Sequence, residues 1–241
     1  MTCAEALQYI EELKPGGMKL GLDRMRRGLE LLGHPERRLR VVHVAGTNGK
    51  GSTARMVQAI ATAAGYATGL VSSPAVIGLR ETITVDGEAI PEAAFAGWVD
   101  RLRALQSDMG EAGGLSEFEL TTLLALAWFA ERNTDLCVIE CGMGGREDAT
   151  NVFDAPLAAV ITPVALDHTA WLGGTAEEIA AHKCGIIKAP CGVVTAPDQD
   201  PDALAVIWET AARQGLTVRQ PGTGAAPLLE ASLGRSAIPC P

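Results

Sequence analysis

A chain of 241 residues is long enough to bury a full core, as one large domain with a short remainder. Its 29 acidic and 20 basic residues leave a formal charge of −9, which argues against a surface that coats nucleic acid or a polybasic membrane patch. Hydrophobic residues at 47% exclude disorder over most of the chain, and aromatics at 4% leave few platforms for stacking bases.

The first residues place Glu5, Glu11 and Glu12 where a signal peptide needs an apolar run, and no stretch approaches ~18 apolar residues. A cytoplasmic protein is expected. From Arg40 onward, short β-branched runs alternate with helical patterns, the order of an α/β fold with a mostly parallel sheet flanked by helices. Strands are expected at Arg40–Ala45, Ala67–Ser72, Leu136–Glu140, Leu157–Thr162 and Val193–Thr195. The helices read Ser52–Ala64, Pro91–Met109, Glu117–Arg132, Thr175–Lys183 and Pro201–Gln214. Between Glu81 and Ile90 an alternating pattern around Asp86-Gly87 predicts a small hairpin, after an irregular loop at Ser73–Arg80. Past Gln214 the pattern fades, so the domain is drawn as residues 1–218 and an irregular tail as 219–241.

Six cysteines, Cys3, Cys137, Cys141, Cys184, Cys191 and Cys240, include no Cys-x-x-Cys pair and read as free thiols. Cys137 and Cys141 with His182, Cys184 or Cys191 match no zinc spacing.

The sharpest motif is Val41-Val42-His43-Val44-Ala45-Gly46-Thr47-Asn48-Gly49-Lys50-Gly51-Ser52-Thr53, a buried-type strand, a glycine-rich turn, a lysine and a helix start. Glycines let the backbone curl so that N–H groups point inward, the helix adds a partly positive N-terminus, and Lys50 supplies a point charge for phosphates. This is P-loop-type architecture without the usual P-loop spacing, because Val44 and Gly51 stand where that motif has a glycine and a hydroxyl. The bland alternative is a strand-to-helix turn with a solvated lysine.

Other polar residues fall at the same strand ends, the rim where parallel sheets bind ligands: Ser72 and Ser73, Glu140, and Asp167-His168. Glu140 ends a run apolar enough to be buried on both faces, so its carboxylate needs a cation. Magnesium suits it, with a hydroxyl from Ser73 and the phosphate oxygens of a nucleotide. Taken alone, Glu140 reads equally as a helix cap or surface carboxylate and His168 as a structural histidine. The glycine-rich Gly142–Asn151 is expected as a loop over the rim, able to close on substrate.

Four stretches together resemble the folylpolyglutamate synthase/dihydrofolate synthase family of the Mur ligase superfamily. They are Gly46–Ser52, the Glu140 strand running into Gly142–Asn151, Ala165-Leu166-Asp167-His168-Thr169, and His182-Lys183-Cys184-Gly185-Ile186-Ile187-Lys188. The likeness runs from Gly21-Leu22-Asp23-Arg24-Met25 to about Ala196. It implies a fold like the central domain of Mur ligases, ATP held by Thr47, Asn48, Gly49, Lys50, Gly51 and Ser52, and Mg2+ held by Ser73, Glu140 and His168. Lys183 matches a lysine carbamylated in relatives, although by composition alone it reads as a surface lysine. With Lys50, Glu140 and His168 it completes the implied catalytic set.

Ser116, Glu117, Phe118 and Glu119, with Glu147, Asp148 and Ala149, align with stretches that contact the pterin-bearing substrate, and Ser73–Glu81 with a mobile loop. The sequence departs from the family at Ala75, where histidine is frequent, at Glu147, commonly apolar, and at Cys184, commonly a small alanine-like residue. The implied reaction joins L-glutamate to dihydropteroate or a folate through an acyl phosphate, at the expense of ATP, in a monomer with no nucleic-acid or membrane partner. The family's second, glutamate-binding domain is expected to be absent from this chain. Rival readings are a ligase for cell-wall precursors and a nucleotide-binding module or inactive remnant.

Overall fold

The computed structural model describes residues 1–14 and 21–221. Residues 222–241, nearly all of the expected tail and Cys240 with it, lie outside the described residues.

Among the described residues two α-helices precede the first expected strand, α1 (Cys3–Leu13) and α2 (Asp23–Leu31). Helix α1 starts in a capping box: the Thr2 hydroxyl accepts from Glu5 N, and the Glu5 side chain accepts from Thr2 N. The expected strands follow with ends that agree to within one residue, as β1 (Val41–Ala45), β2 (Thr68–Val71), β5 (Leu136–Glu140), β6 (Ala158–Ile161) and β7 (Gly192–Thr195). The hairpin is β3 (Ile83–Val85) and β4 (Glu88–Ala89), turning on Asp86 (φ 53°) and Gly87 (φ 83°), the left-handed pair a tight hairpin needs.

The helices are α3 (Lys50–Ala63), α4 (Glu92–Leu105), α5 (Glu117–Glu131), α6 (Thr169–Leu172), α7 (Ala176–Lys183) and α8 (Pro201–Arg213). A two-residue strand, β8 (Val218–Arg219), pairs with β7 and carries regular structure beyond Gln214, where the sequence pattern fades. Helix α6 and strand β8 are too short to show a period. Helix α3 begins two residues earlier than expected, which puts Lys50 and Gly51 in its first turn.

The strands form one sheet in the order β4-β3-β2-β5-β1-β6-β7-β8, parallel from β2 to β8 with the hairpin antiparallel at one edge. Strand β1 lies centrally, with Val44 opposite Glu140 on β5 and Ala45 opposite Ile161 on β6. One face packs Val41, Cys137 and Ile139 against the helices α1, α2, α4 and α5, and Ala159, Ile161 and Val193 against α7 and α8. The other face packs Val42, Val44, Leu70 and Val138 against α3. Both faces of β1 and β5 are therefore covered, and Glu140 is 2% exposed.

At the end of β1 the backbone passes too close to β6 for a side chain. A Cβ on Gly46 (φ 148°) would stand 1.8 Å from Thr162 Oγ1. Overpacking and strain together predict that Gly46→Ala lowers unfolding stability by about 3 kcal/mol. Urea denaturation measures it, and an unchanged midpoint would contradict this contact.

Candidate functional site

The turn after β1 is clamped to the end of β6. The N–H groups of Thr47 and Asn48 donate to Pro163 O at 2.9 and 3.2 Å, and the Thr47 hydroxyl donates to Ala165 O at 3.0 Å. Those two amides are spent on anchoring. The amides left for a ligand are those of the first turn of α3. Gly49 (φ 78°) is its N-cap in a left-handed conformation and offers no side-chain cap, so the helix start at Lys50, Gly51 and Ser52 stays open.

Glu140 lies against that open end. Its Oε2 accepts from Ser73 N at 3.1 Å, and a Cβ on Gly51 would stand 3.2 Å from the same oxygen. Burial pushes the Glu140 carboxyl above its ordinary range, opposed by the Ser73 N–H and the charges of Lys50 and Arg55. Arg55, which the motif reading did not single out, also reaches Ser72 Oγ at 3.3 Å. Its signal in the sequence is only its place on the same helix, five residues after Lys50.

A cleft of about 750 Å3 opens at this rim. Lys50, Ser73 and His168 line it, and so do the stretches Ser116–Glu119 and Glu147–Ala149, drawn from five separate parts of the chain. A hollow of about 810 Å3 beside α2, between residues 23–39 and 152–155, gathers none of the expected site residues. Size alone therefore does not locate the site; convergence of chemistry does. His168 is half-exposed in a left-handed conformation at the start of α6, with Nε2 3.5 Å from Asp167 Oδ2.

Lys183 is not the surface residue its composition suggests. It is 3% exposed, and its ammonium donates to Gly46 O at 2.8 Å, at the base of the nucleotide-loop motif. Burial first, then the Lys50 charge, pulls its amine down to about 8.

Glu119 lines the cleft, yet its carboxylate is already engaged. It accepts from Ser116 N and Oγ, both at 2.8 Å, in the capping box of α5, and from Arg24 Nε at 2.8 and 3.1 Å. Arg24 was not among the expected site residues.

The loop expected over the rim lines the cleft at Gly142, Met143 and Glu147–Ala149 and is also seated on α7. A Cβ on Gly145 would stand 2.7 Å from Lys183 O, Arg146 N donates to His182 O at 2.8 Å, and Asn151 Nδ2 donates to Arg146 O and Gly185 O. At Gly142 and Gly145 the missing side chain leaves room for close packing against Phe118 and Lys183. Asp148 is buried in this loop, accepting from Met143 N at 2.8 Å and Thr150 N at 3.0 Å. Burial raises its carboxyl, against those hydrogen bonds. The exposed apolar side chains Val76 and Ile77 stand on the segment after Ser73, where the Glu81 carboxylate accepts from both of their N–H groups.

Among the described residues no group of three or more His, Cys, Asp or Glu side chains is gathered as a ready metal cage. Of the expected metal ligands, Ser73 touches Glu140 through its N–H and lines the cleft with His168, an expected set of one carboxylate, one hydroxyl and one imidazole. Such a set suits a hard divalent cation that keeps waters and takes its remaining oxygens from a bound phosphate.

The chain belongs to the Mur ligase middle domain family, whose description matches residues 44–220. Within that family its similarity is to dihydrofolate and folylpolyglutamate synthases, as the sequence resemblance implies. It is 44% identical over 212 residues to the dihydrofolate synthase/folylpolyglutamate synthase of Bacillus subtilis, covering 87% of this chain and 49% of that protein. To the enzyme of the same name from Mycobacterium tuberculosis it is 43% identical over 188 residues, covering 74% and 37%.

Among solved structures, the apo form of L. casei FPGS superposes with a TM-score of 0.85 at 40% identity, over 91% of this chain and 54% of that one. E. coli FolC in complex with DHPP and ADP gives 0.81 at 35% identity, over 92% and 52%. The chain thus spans about half the length of the relatives it matches. No helix among the described residues is long and apolar enough to cross a membrane.

Beside the cleft, burial holds the His43 imidazole neutral, pulling it down to about 3, with a smaller push from Lys188. The unfolded chain takes up this proton near pH 6.5 and the folded chain does not. Stability due to His43 is therefore intact above pH 6.5 and is lost as pH falls from there towards 3. The expected outcome in NMR is a His43 ring signal that does not move between pH 8 and 5. A titration midpoint near 6.5 would contradict the burial argument.

Proposed function

We propose that this chain is the nucleotide-binding part of an ATP-dependent ligase that joins L-glutamate to dihydropteroate, to tetrahydrofolate, or to both, through an acyl phosphate. The domain is taken as residues 1–218, acting as a monomer in the cytoplasm. The observation that carries this reading is the convergence of Lys50, Ser73, His168 and Asp148 on one cleft beside the open start of α3. The similarity to synthases of that name supports the substrate class, and so do relatives solved with AMPPCP and folate and with DHPP and ADP.

Both reactants are anionic, a carboxylate and a triphosphate, so the chain's task is to hold like charges together. The Lys50 ammonium and the first amides of α3 would orient the phosphates, with the Gly51 backbone leaving room for close approach. Ser73, Glu140 and His168 are the residues that would hold Mg2+, which supplies charge neutralisation to the phosphates when bound. Asp148, Phe118 and their neighbours would position the pterin-bearing substrate, so that its carboxylate faces the terminal phosphorus. A carboxylate oxygen takes the terminal phosphoryl group as ADP leaves, and attack by the glutamate amino group on the resulting acyl phosphate forms the amide and releases phosphate and a proton. Thr47 and Asn48 keep the turn in place, and Glu119 acts by holding the start of α5 rather than by contact through its own carboxylate.

Lys183 is proposed as the site of carbamylation. Its neutral amine forms an N–C bond to carbon dioxide, the displaced proton passes to solvent, and the product carries a negative charge beside Gly46. Under 13C-labelled bicarbonate a carbamate carbon signal is expected to grow as pH rises through about 8 and to vanish in Lys183→Met. A signal that persists in the variant rules out this lysine.

Lys50→Ala is expected to weaken Mg-ATP binding about tenfold to a hundredfold in calorimetry, the scale of one lost charge-assisted phosphate contact. Unchanged affinity removes the phosphate-loop assignment. Glutamate- and dihydropteroate-dependent ADP release tests the ligase reading, and nucleotide binding with no turnover favours the binding-module alternative.

A further inference from the structure

His43 is the one polar side chain in the buried run of β1, 1% exposed, where an aliphatic residue would fill the space without any desolvation cost. The mechanism above makes no use of it. Its Nε2 lies 2.8 Å from Thr150 Oγ1 and 3.2 Å from Cys141 Sγ, and Phe153 fixes the ring plane edge-on at 6.0 Å. The Thr150 hydroxyl in turn donates to Asp148 Oδ1 at 2.5 Å.

A hydroxyl has one proton to give, and here it goes to the carboxylate. The 2.8 Å contact must then be His43 Nε2–H donating to Thr150 Oγ1, which fixes the imidazole as the Nε2-protonated tautomer. The result is a one-way chain of hydrogen bonds from the nucleotide-loop strand to a carboxylate on the wall of the cleft.

We propose that His43 is a positioning residue, which fixes the Asp148 carboxylate in the cleft through the Thr150 hydroxyl and so sets the substrate loop against the strand that carries the nucleotide loop. Asp148 belongs to a glycine-rich stretch, and a carboxylate there has several rotamers open to it. Two donors from Thr150 on Oδ1 and the Met143 amide on Oδ2 select one of them. His43 keeps the Thr150 hydroxyl turned the right way, because its N–H occupies the oxygen and leaves only the outward proton direction. Gly46 lies three residues further on, just past the end of the same strand, so the two loops share one rigid element.

This inference rests on the proposed reading of the cleft only for its functional consequence. The hydrogen-bond chain itself is tested by NMR on the 15N-labelled chain with no ligand. The imidazole nitrogens are expected to report the Nε2–H tautomer, and the Nδ1–H tautomer would overturn the proposal. Amide exchange at Met143 is expected to rise about tenfold in His43→Phe and in Thr150→Val. It should return to within about threefold of the parent in His43→Gln, whose side-chain N–H stands where Nε2–H does. If Phe and Gln at this position behave alike, His43 only fills space and the proposal fails. Should His43→Phe not fold, the tautomer and Thr150→Val still decide.

Calorimetry with dihydropteroate then reads the consequence. Affinity should fall about tenfold or more in His43→Phe and recover in His43→Gln, with Mg-AMPPCP affinity unchanged within about twofold. Failure of the parent chain to bind dihydropteroate counts against the substrate reading, and leaves the tautomer and exchange results to judge His43.

Discussion

The open start of α3 is the feature around which the rest of the rim is arranged. A helix whose first N–H groups have no cap carries a partial positive charge that must meet an anion or water. Here the residue that would cap it is Gly49, left-handed and without a side chain, and the next two residues are Lys50 and Gly51. A serine or aspartate at the cap would stabilise the helix by about 1 kcal/mol and occupy the place of a ligand. The sequence forgoes that gain, and surrounding contacts hold the uncapped end still: Thr47 and Asn48 on Pro163, and Lys183 on Gly46.

Strand order explains why separate stretches meet at this end. With β1 in the middle, β5 delivers Glu140 on one side and β6 delivers Pro163 and the approach to His168 on the other. Strand β2 lies next to β5 and brings Ser73 to within hydrogen-bond reach of Glu140. Burial raises the Glu140 carboxyl at the end of a strand covered on both faces, and burial lowers the Lys183 amine, which α7 sets against Gly46 O. Burial of opposite charges near an uncapped helix start is costly in an empty fold and suited to a highly charged ligand.

Much of this was legible in the sequence because the signals are local. Five β-branched runs, the Asp86-Gly87 turn and the helix starts at Ser116, Thr175 and Asp200 are written in adjacent residues, and the family resemblance rests on contiguous motifs. What escaped depends on partners far along the chain. Helix α1 buries only Ala6 and Ile10, and α2 only Met25, Gly28 and Leu29, so neither shows a broad apolar stripe. The engagement of Glu119 by Arg24, the anchoring of Thr47 and Asn48, and the burial of Lys183 all join residues roughly a hundred positions or more apart. The seating of Gly142–Asn151 on α7 was likewise hidden, since a glycine reads the same in sequence whether it supplies freedom or room. His43 did carry a signal, a lone polar residue inside an apolar strand, whose meaning emerges only once Thr150 and Asp148 are beside it.

A crystal structure of the chain with Mg2+ and AMPPCP tests the account most directly. The account predicts phosphate oxygens on the first amides of α3 and on Lys50, with the metal at about 2.1 Å from the Ser73 hydroxyl and a Glu140 oxygen. Phosphates bound elsewhere, or a metal held by neither residue, would contradict it.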